Sequence, residues 1–294
     1  MAIFEKAERQ AARLRMCISG APGSGKTMSA LRIGSALLSE DGAMAVIDTE
    51  HGESHLYAGA ANPDGGTFAF HVADISGWNG RYSVENYIRC LDAAAHQFEV
   101  VIIDSLSHAW AGPGGVLEVV DKASNGKFSG WRVGTPLHDR LVDAVCSFPG
   151  HVIVTLRSKM GYVVSDDGKR ITRAGMQPIQ RDSIEYEFSV VGDMSEGTLA
   201  ITKHRNVPLS ESVIHHPGAG LAMELLDWLG QGRDTIAEFW AAVECLGFAR
   251  EAVAAVVKER NRPHPDSMTF EQRQRLLTWL NTDEGKNACQ SALG

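Results

Sequence analysis

The stretch GAPGSGKTMSALRIGSALL, residues 20–38, limits what this chain can fold into more than any other. Gly20, Gly25, Lys26 and Thr27 complete the spacing GxxxxGK[ST] between an apolar run, LRMCIS (14–19), and a helical pattern from Lys26 to about Leu38. That context requires a strand, a tight turn and a helix in direct succession. Glycines let successive backbone N–H groups turn inward, forming an anion nest at a helix N-terminus. Gly20, Ala21, Pro22, Gly23, Ser24, Gly25, Lys26, Thr27 and Met28 are therefore expected to wrap a nucleotide's phosphates. Lys26 would place its charge on the β- and γ-phosphates, and the Thr27 hydroxyl would ligate Mg²⁺.

The rest of the chain supplies the sheet such a loop needs. AMAVID (43–48), TFAFHVAD (67–74), EVVIID (99–104) and HVIVTL (151–156) read as strands. VENYIRCLDAAAHQF (84–98) and TPLHDRLVDAVCSF (135–148), with Pro136 in a first turn, read as helices. Short apolar runs separated by helices imply a mainly parallel sheet covered on both faces. After residue 157 the pattern changes. GYVVSDDGKRITR (161–173) brackets Asp167–Gly168 as a hairpin, and IEYEFSVVG (184–192) and TLAITK (198–203) read as antiparallel strands. The tail carries helical periodicity in IAEFWAAVECLGF, REAVAAVVKER and EQRQRLLTWL, giving a three-helix appendage with RNRPHPDS (260–267) as its loop. The expected architecture is α/β: a nucleotide-binding domain over 1–230 and a helical domain over 232–294.

Composition narrows the setting. No run approaches the ~18 apolar residues of a membrane span. The first fifteen residues, MAIFEKAERQAARLR, lack the apolar core of a secretory signal, so a helix in a cytosolic protein is expected there. The five cysteines form no CxxC pair, which fits reduced thiols. A net charge of −8 gives no long-range attraction to nucleic acid, so such binding needs a local basic surface. His51 and His55 lack the HExxH order of a zinc site, and no GxSxG elbow is present.

Asp104 ends VVIID as a second Mg²⁺-holding carboxylate would. Ser105, not glutamate, follows it, so the base that activates water must come from another strand. Glu50 lies two residues past Asp48, at the sheet edge where open α/β sheets bind ligands. Capping or ribose binding are the alternatives for Glu50.

AVIDTEHGESHLYA (45–58) resembles the corresponding stretch of RecA-type recombinases, whose catalytic glutamate stands at the position of Glu50. VIIDSLSHAWAGPGG (101–115), HVIVTLRSKMGY (151–162), QPIQRDSIEYEF (177–188) and the KHR element at 203–205 resemble the RecA-like nucleotide-binding proteins of bacteriophages, grouped with single-strand-annealing proteins. The likeness covers residues 14 to about 217. It implies a RecA-like P-loop ATPase core that uses ATP and Mg²⁺ in the cytoplasm of a phage-infected or lysogenic bacterial host. It also implies a γ-phosphate sensor among Thr155, Arg157 and Ser158, although RecA-type proteins carry glutamine there. Lys203 and Arg205 would reach the ATP of a neighbouring subunit, making a homo-oligomer with ATP at the interface. Residues 157–181 carry Arg157, Lys159, Lys169, Arg170, Arg173 and Arg181 against Asp166 and Asp167, where that family contacts single-stranded DNA. Tyr162 could stack a base there. Three function classes follow: a DNA-recombination ATPase, a P-loop kinase, and a nucleotide-gated module whose tail recruits a partner such as a single-strand-binding protein.

Overall fold

In the computed structural model the described residues are 12–124, 128–164, 171–205, 207, 209–230, 235–260, 262–268 and 270–291. Residues 1–11 of the expected N-terminal helix and the Asp167–Gly168 turn lie outside them, while residues 12–14 are not helical and Arg15 already belongs to a strand. Strand β1 (Arg15–Gly20) feeds the glycine loop and helix α1 (Lys26–Ala36). Next come β2 (Met44–Asp48), β3 (His71–Asp74), α2 (Val84–Ala94) and β4 (Val100–Asp104). Three helices, α3 (Ser107–Ala111), α4 (Val116–Ser124) and α5 (Trp131–Ser147), lead to the long strand β5 (His151–Val164). Strands β6 (Ile171–Pro178), β7 (Val190–Ser195), β8 (Thr198–His204) and β9 (Val213–His215) follow.

The sheet runs β3-β2-β4-β5-β1-β7-β8-β9, with β6 paired to β5 beyond it. The six strands from β3 to β7 in that order are parallel, and β6, β8 and β9 join antiparallel. Both faces of β2 and β4 are buried, which is why these strands read as unbroken apolar runs. Alternation then sorts them. Ala45, Ile47, Val101, Ile103, Val152 and Val154 enter one core with Tyr87, Leu91 and Leu141 from α2 and α5. On the opposite face α1 comes so close at Gly34 that an added Cβ would stand 2.7 Å from the Met44 sulfur and 3.2 Å from Ile102 Cδ1. Residues in phase with Met44, Ile102 and Ile153 face α1. That phase carries Asp48, Asp104, Thr155 and Arg157 to the α1 side, where β2 and β4 end and β5 runs on toward β6.

Several elements depart from their sequence patterns. Residues 184–187 form a 3-10 turn rather than the start of a strand, entered through Ser183 at φ 71°, and β7 begins only at Val190. The turn buries Ile184 and Phe188 against the core, a tertiary gain that outweighs the β propensity of IEYEF. From 67 to 74 only His71–Asp74 is strand; Thr67 makes an isolated antiparallel bridge to Ala61. Helix α5 starts at Trp131, so Pro136 sits inside it rather than in its first turn. Burial of His138, Leu141 and Val145 along α5 supplies the packing that offsets the lost amide bond. The hairpin is an arm of β5 itself: Ser158 pairs with Pro178 and Val164 with Ile171, with a register shift between Gly161 and Tyr162.

The chain divides into two compact units, one formed by Ala12–Val207 with Glu211–Ala222, the other taking in the helices from Met223 onward. The boundary falls within α6 (Ala219–Leu229). Beyond it are α7 (Thr235–Cys245), α8 (Arg250–Glu259), α9 (Phe270–Leu280) and α10 (Asp283–Ser291). The expected three helices are therefore four among the described residues. Phe239, Trp240, Val243, Val253, Val256 and Leu280 form their core, joined by Cys289 of α10. No helix among the described residues is long and apolar enough to cross a membrane.

Candidate functional site

The loop between β1 and α1 takes its shape from its glycines. Gly23 and Gly25 have φ of 73° and 102°, conformations that a Cβ would strain. At Gly20 an added Cβ would meet the Met194 carbonyl oxygen at 2.4 Å, so only glycine lets β7 lie this close. Ser24 N–H donates to Ala21 O at 3.2 Å, and Gly197 N–H from the β7–β8 turn donates to Ser24 O at 3.0 Å. The Ser24 hydroxyl is buried inside the loop without a hydrogen-bond partner. The amides that open α1 have no intrahelical acceptor. Lys26 Nζ donates to Ala21 O at 2.8 Å, lying across the loop. Burial holds its pKa below the ordinary lysine value, while Asp104 and Glu50 oppose that shift and Arg157 adds to it. Those three charges therefore share one field with Lys26.

Asp104, at the end of β4, is buried. One carboxylate oxygen accepts from Thr27 Oγ1 at 2.6 Å, and the other accepts from Thr155 Oγ1 on β5. Burial raises its pKa above the ordinary aspartate value, and the two hydroxyl donors resist that rise. Strand β5 lies between β1 and β4, which is how Thr155 reaches the carboxylate.

Glu50 extends from the loop after β2 to Arg157 on β5. The guanidinium holds its carboxylate with two hydrogen bonds, Nε to Oε1 at 2.8 Å and NH2 to Oε2. Ser105 Oγ donates to Oε1 at 3.3 Å, and His108 Nδ1 stands 4.0 Å from it. The hydrogen bonds to Glu50 raise the Arg157 pKa above its already high ordinary value. Ser158, the third sensor candidate, is buried and pairs in the ribbon with Pro178.

The support beneath Glu50 was not apparent in the sequence. Asp48, 1% exposed, accepts from Glu50 N at 2.7 Å, Gly52 N at 3.2 Å and Ser54 N at 2.9 Å, and from Ser54 Oγ. It fixes the loop that carries Glu50. Thr49 Oγ1 accepts from Ser105 N at 2.7 Å and meets His108 Nδ1 at 2.7 Å. Tyr82 OH donates to Thr49 O at 3.1 Å, and its ring stacks on His108 at 4.5 Å between centroids. Burial, then the charge of Arg157, lowers the His108 pKa from the ordinary histidine value. The sequence signal for Asp48 was its place at the end of an apolar strand, matching that of Asp104.

Other expected residues lie elsewhere. Strand β8 runs antiparallel to β7, so Lys203 and Arg205 stand at the opposite end of the sheet from the glycine loop of their own chain. Both point to one turn: Lys203 Nζ donates to the carbonyls of Glu185 at 2.6 Å and Phe188 at 2.9 Å, and Arg205 to that of Tyr186 at 3.2 Å. Of the basic residues in 157–181, Arg157 is engaged by Glu50 and Arg181 by Asp139 at 3.0 Å, while Lys159 is exposed. Lys169 and Arg170 lie outside the described residues, as do the side chains of Arg173 and Tyr162. No group of three or more His, Cys, Asp or Glu among the described residues could hold a metal by itself.

Comparison with known proteins agrees with this geometry. Residues 12–214 match the family described as an AAA domain. No curated protein matches the chain.

Proposed function

The chain belongs to the AAA-domain family and so carries a nucleotide-binding ATPase domain, and from that premise we propose that it is a Mg²⁺-dependent, RecA-like ATPase of phage origin acting in DNA recombination or single-strand annealing. ATP would lie with its phosphates in the loop 20–28, where the opening amides of α1 and the Ser24 hydroxyl offer donors. Lys26 would turn from the Ala21 carbonyl to the β- and γ-phosphates. Thr27 and Asp104 present an all-oxygen pair 2.6 Å apart, a donor set suited to Mg²⁺, which would neutralise phosphate charge when bound.

Glu50 would accept a proton from the attacking water as its oxygen bonds the γ-phosphorus and the bond to the ADP oxygen breaks. Arg157 would act in two ways. It keeps the Glu50 carboxylate at this rim, and an arriving γ-phosphate offers its guanidinium a second anion, which frees Glu50 for the water. The observation that carries the reading is this ion pair, set at the rim where Lys26, Thr27 and Asp104 converge.

In the same reading residues 1–230 form the ATPase domain and 232–294 a helical domain. Lys203 and Arg205, at the far end of the sheet, would serve the ATP of a neighbouring subunit, which supports a homo-oligomer with shared sites. The β5–β6 arm within 157–181, exposed at Lys159, Met160 and Met176, would contact single-stranded DNA, in the cytoplasm of the bacterial host. Phosphate release measured with and without single-stranded DNA, beside particle mass in each nucleotide state, tests all of this. DNA-dependent turnover by an oligomer is expected. DNA-independent turnover by a lasting monomer would remove both the shared-site and DNA roles.

A further inference from the structure

Between α8, the loop 262–268 and α9 lies a cavity of about 370 Å³, wholly within the helical unit. Its floor is apolar: Val257, Met268, Leu276 and Trp279. Its rim carries three arginines, Arg260, Arg262 and Arg275, and no carboxylate is among the described lining residues, although Glu284 pairs with Arg260 beside them. Residues 232–294 hold nine acidic against eight basic side chains, so this cluster does not reflect a basic tail. Cationic charge has been gathered at one apolar cleft.

The arginine nearest the floor is fixed. The Arg260 guanidinium lies 4.2 Å from the centre of the Trp279 ring and bonds Glu284 Oε1 at 2.8 Å through NH2. A stacked guanidinium paired at one edge still has donors to offer at its others. Because Arg260 covers a face of Trp279, that face is closed to a stacking base. Three arginines around one short cleft also do not make the extended cationic track that a nucleic-acid strand follows. A bare phosphate would gain nothing from the apolar floor. A peptide with an apolar anchor residue beside carboxylates would use both the floor and the rim, in a volume typical of small-ligand pockets.

We propose that this cleft docks an acidic segment of a partner protein through an apolar anchor residue, with Arg260, Arg262 and Arg275 taking its carboxylates. The docking does not depend on ATP hydrolysis, so it stands or falls separately from the ATPase reading.

The test uses the full chain and a fluorescein-labelled hexapeptide of four aspartates followed by leucine and phenylalanine, read by anisotropy at low salt. Saturable binding is expected. It should weaken about tenfold or more when the aspartates become lysines, or when the apolar pair becomes serines. Arg262→Glu changes an exposed loop side chain whose backbone N–H separately bonds Val257 O at 3.0 Å, and should weaken binding about tenfold or more. Arg262→Lys should keep affinity within about threefold, and Arg275→Glu gives a second reversal should the first misfold. Binding unaffected by both reversals, or undiminished without the apolar pair, overturns the proposal. So does a twenty-nucleotide oligothymidylate that competes the peptide away, which would assign the cleft to nucleic acid.

Discussion

Replacing Asp48 with alanine removes the one acceptor that holds the Glu50 loop to β2. Three backbone amides, those of Glu50, Gly52 and Ser54, lose partners at 2.7, 3.2 and 2.9 Å, and the Ser54 hydroxyl loses a fourth bond. A hydrogen bond to a charged acceptor is worth about 1.5–3 kcal/mol net. The four share one carboxylate and the Gly52 bond is long, so simple addition overstates the loss. A loosened loop at the sheet rim can also recover water. We take about 4 kcal/mol, which in a unit of this size lowers Tm by roughly 8–16 °C. Asparagine keeps one acceptor oxygen but turns an NH2 group toward either the Glu50 and Gly52 amides or the Ser54 donors. It should cost about half as much. Because the amide of Glu50 itself is released, kcat should fall about a hundredfold in either variant, while nucleotide affinity changes little. Thermal unfolding, phosphate release below the new Tm and titration with a fluorescent ATP analogue measure the three quantities. If Asp48→Ala melts within about 2 °C of the parent chain, or a folded variant loses nucleotide binding together with turnover, Asp48 does not position Glu50 as described.

Three further outcomes follow from the same geometry. Lys26→Ala should abolish turnover, since it removes the ammonium that lies across the loop, and surviving phosphate release would contradict the site. Burial pushes the Cys90 thiol up to about 11 and the Cys17 thiol higher still, so neither should react with a thiol reagent at neutral pH until the chain unfolds. Exposed Cys245 should react at once, and peptide mapping after brief alkylation distinguishes them. His108 is held neutral in the fold by burial and by Arg157, despite Glu50 4.0 Å away. Its folded pKa is depressed, so the unfolded chain takes up a proton that the fold resists, and stability drains as pH falls below about 6.5. His108→Gln should flatten part of that acid-side decline in urea unfolding at pH 7 and pH 5.5; an unchanged slope would refute this.

What the sequence made legible was whatever rests on local chemistry. Gly20, Gly23 and Gly25 announce a turn that needs missing Cβ atoms, and the apolar runs before Asp48 and Asp104 announce buried parallel strands. Strand alternation then carried Asp104 and Thr155 to the α1 face and set Glu50 at the rim. The partners of those residues come from distant segments and leave no spacing to read. Arg157 meets Glu50 across 107 positions, and Thr155 meets Asp104 across 51. Where burial overruled local preference the pattern misled. Ile184 and Phe188 turn IEYEF into a 3-10 segment, and packing along α5 carries a helix through Pro136. Helix α10 has no continuous apolar stripe, and among its described side chains Cys289 and Ala288 bring it to the tail's core.

In the proposed reaction the carboxylate of Glu50 activates water at a site where nucleotide is held by other groups. Turnover of saturating ATP by Glu50→Gln, paired with its ATP affinity, tests this most directly. A fall of about 10²–10⁴ in kcat with affinity within a few-fold of the parent is predicted. Undiminished hydrolysis by a variant that still binds ATP would contradict it.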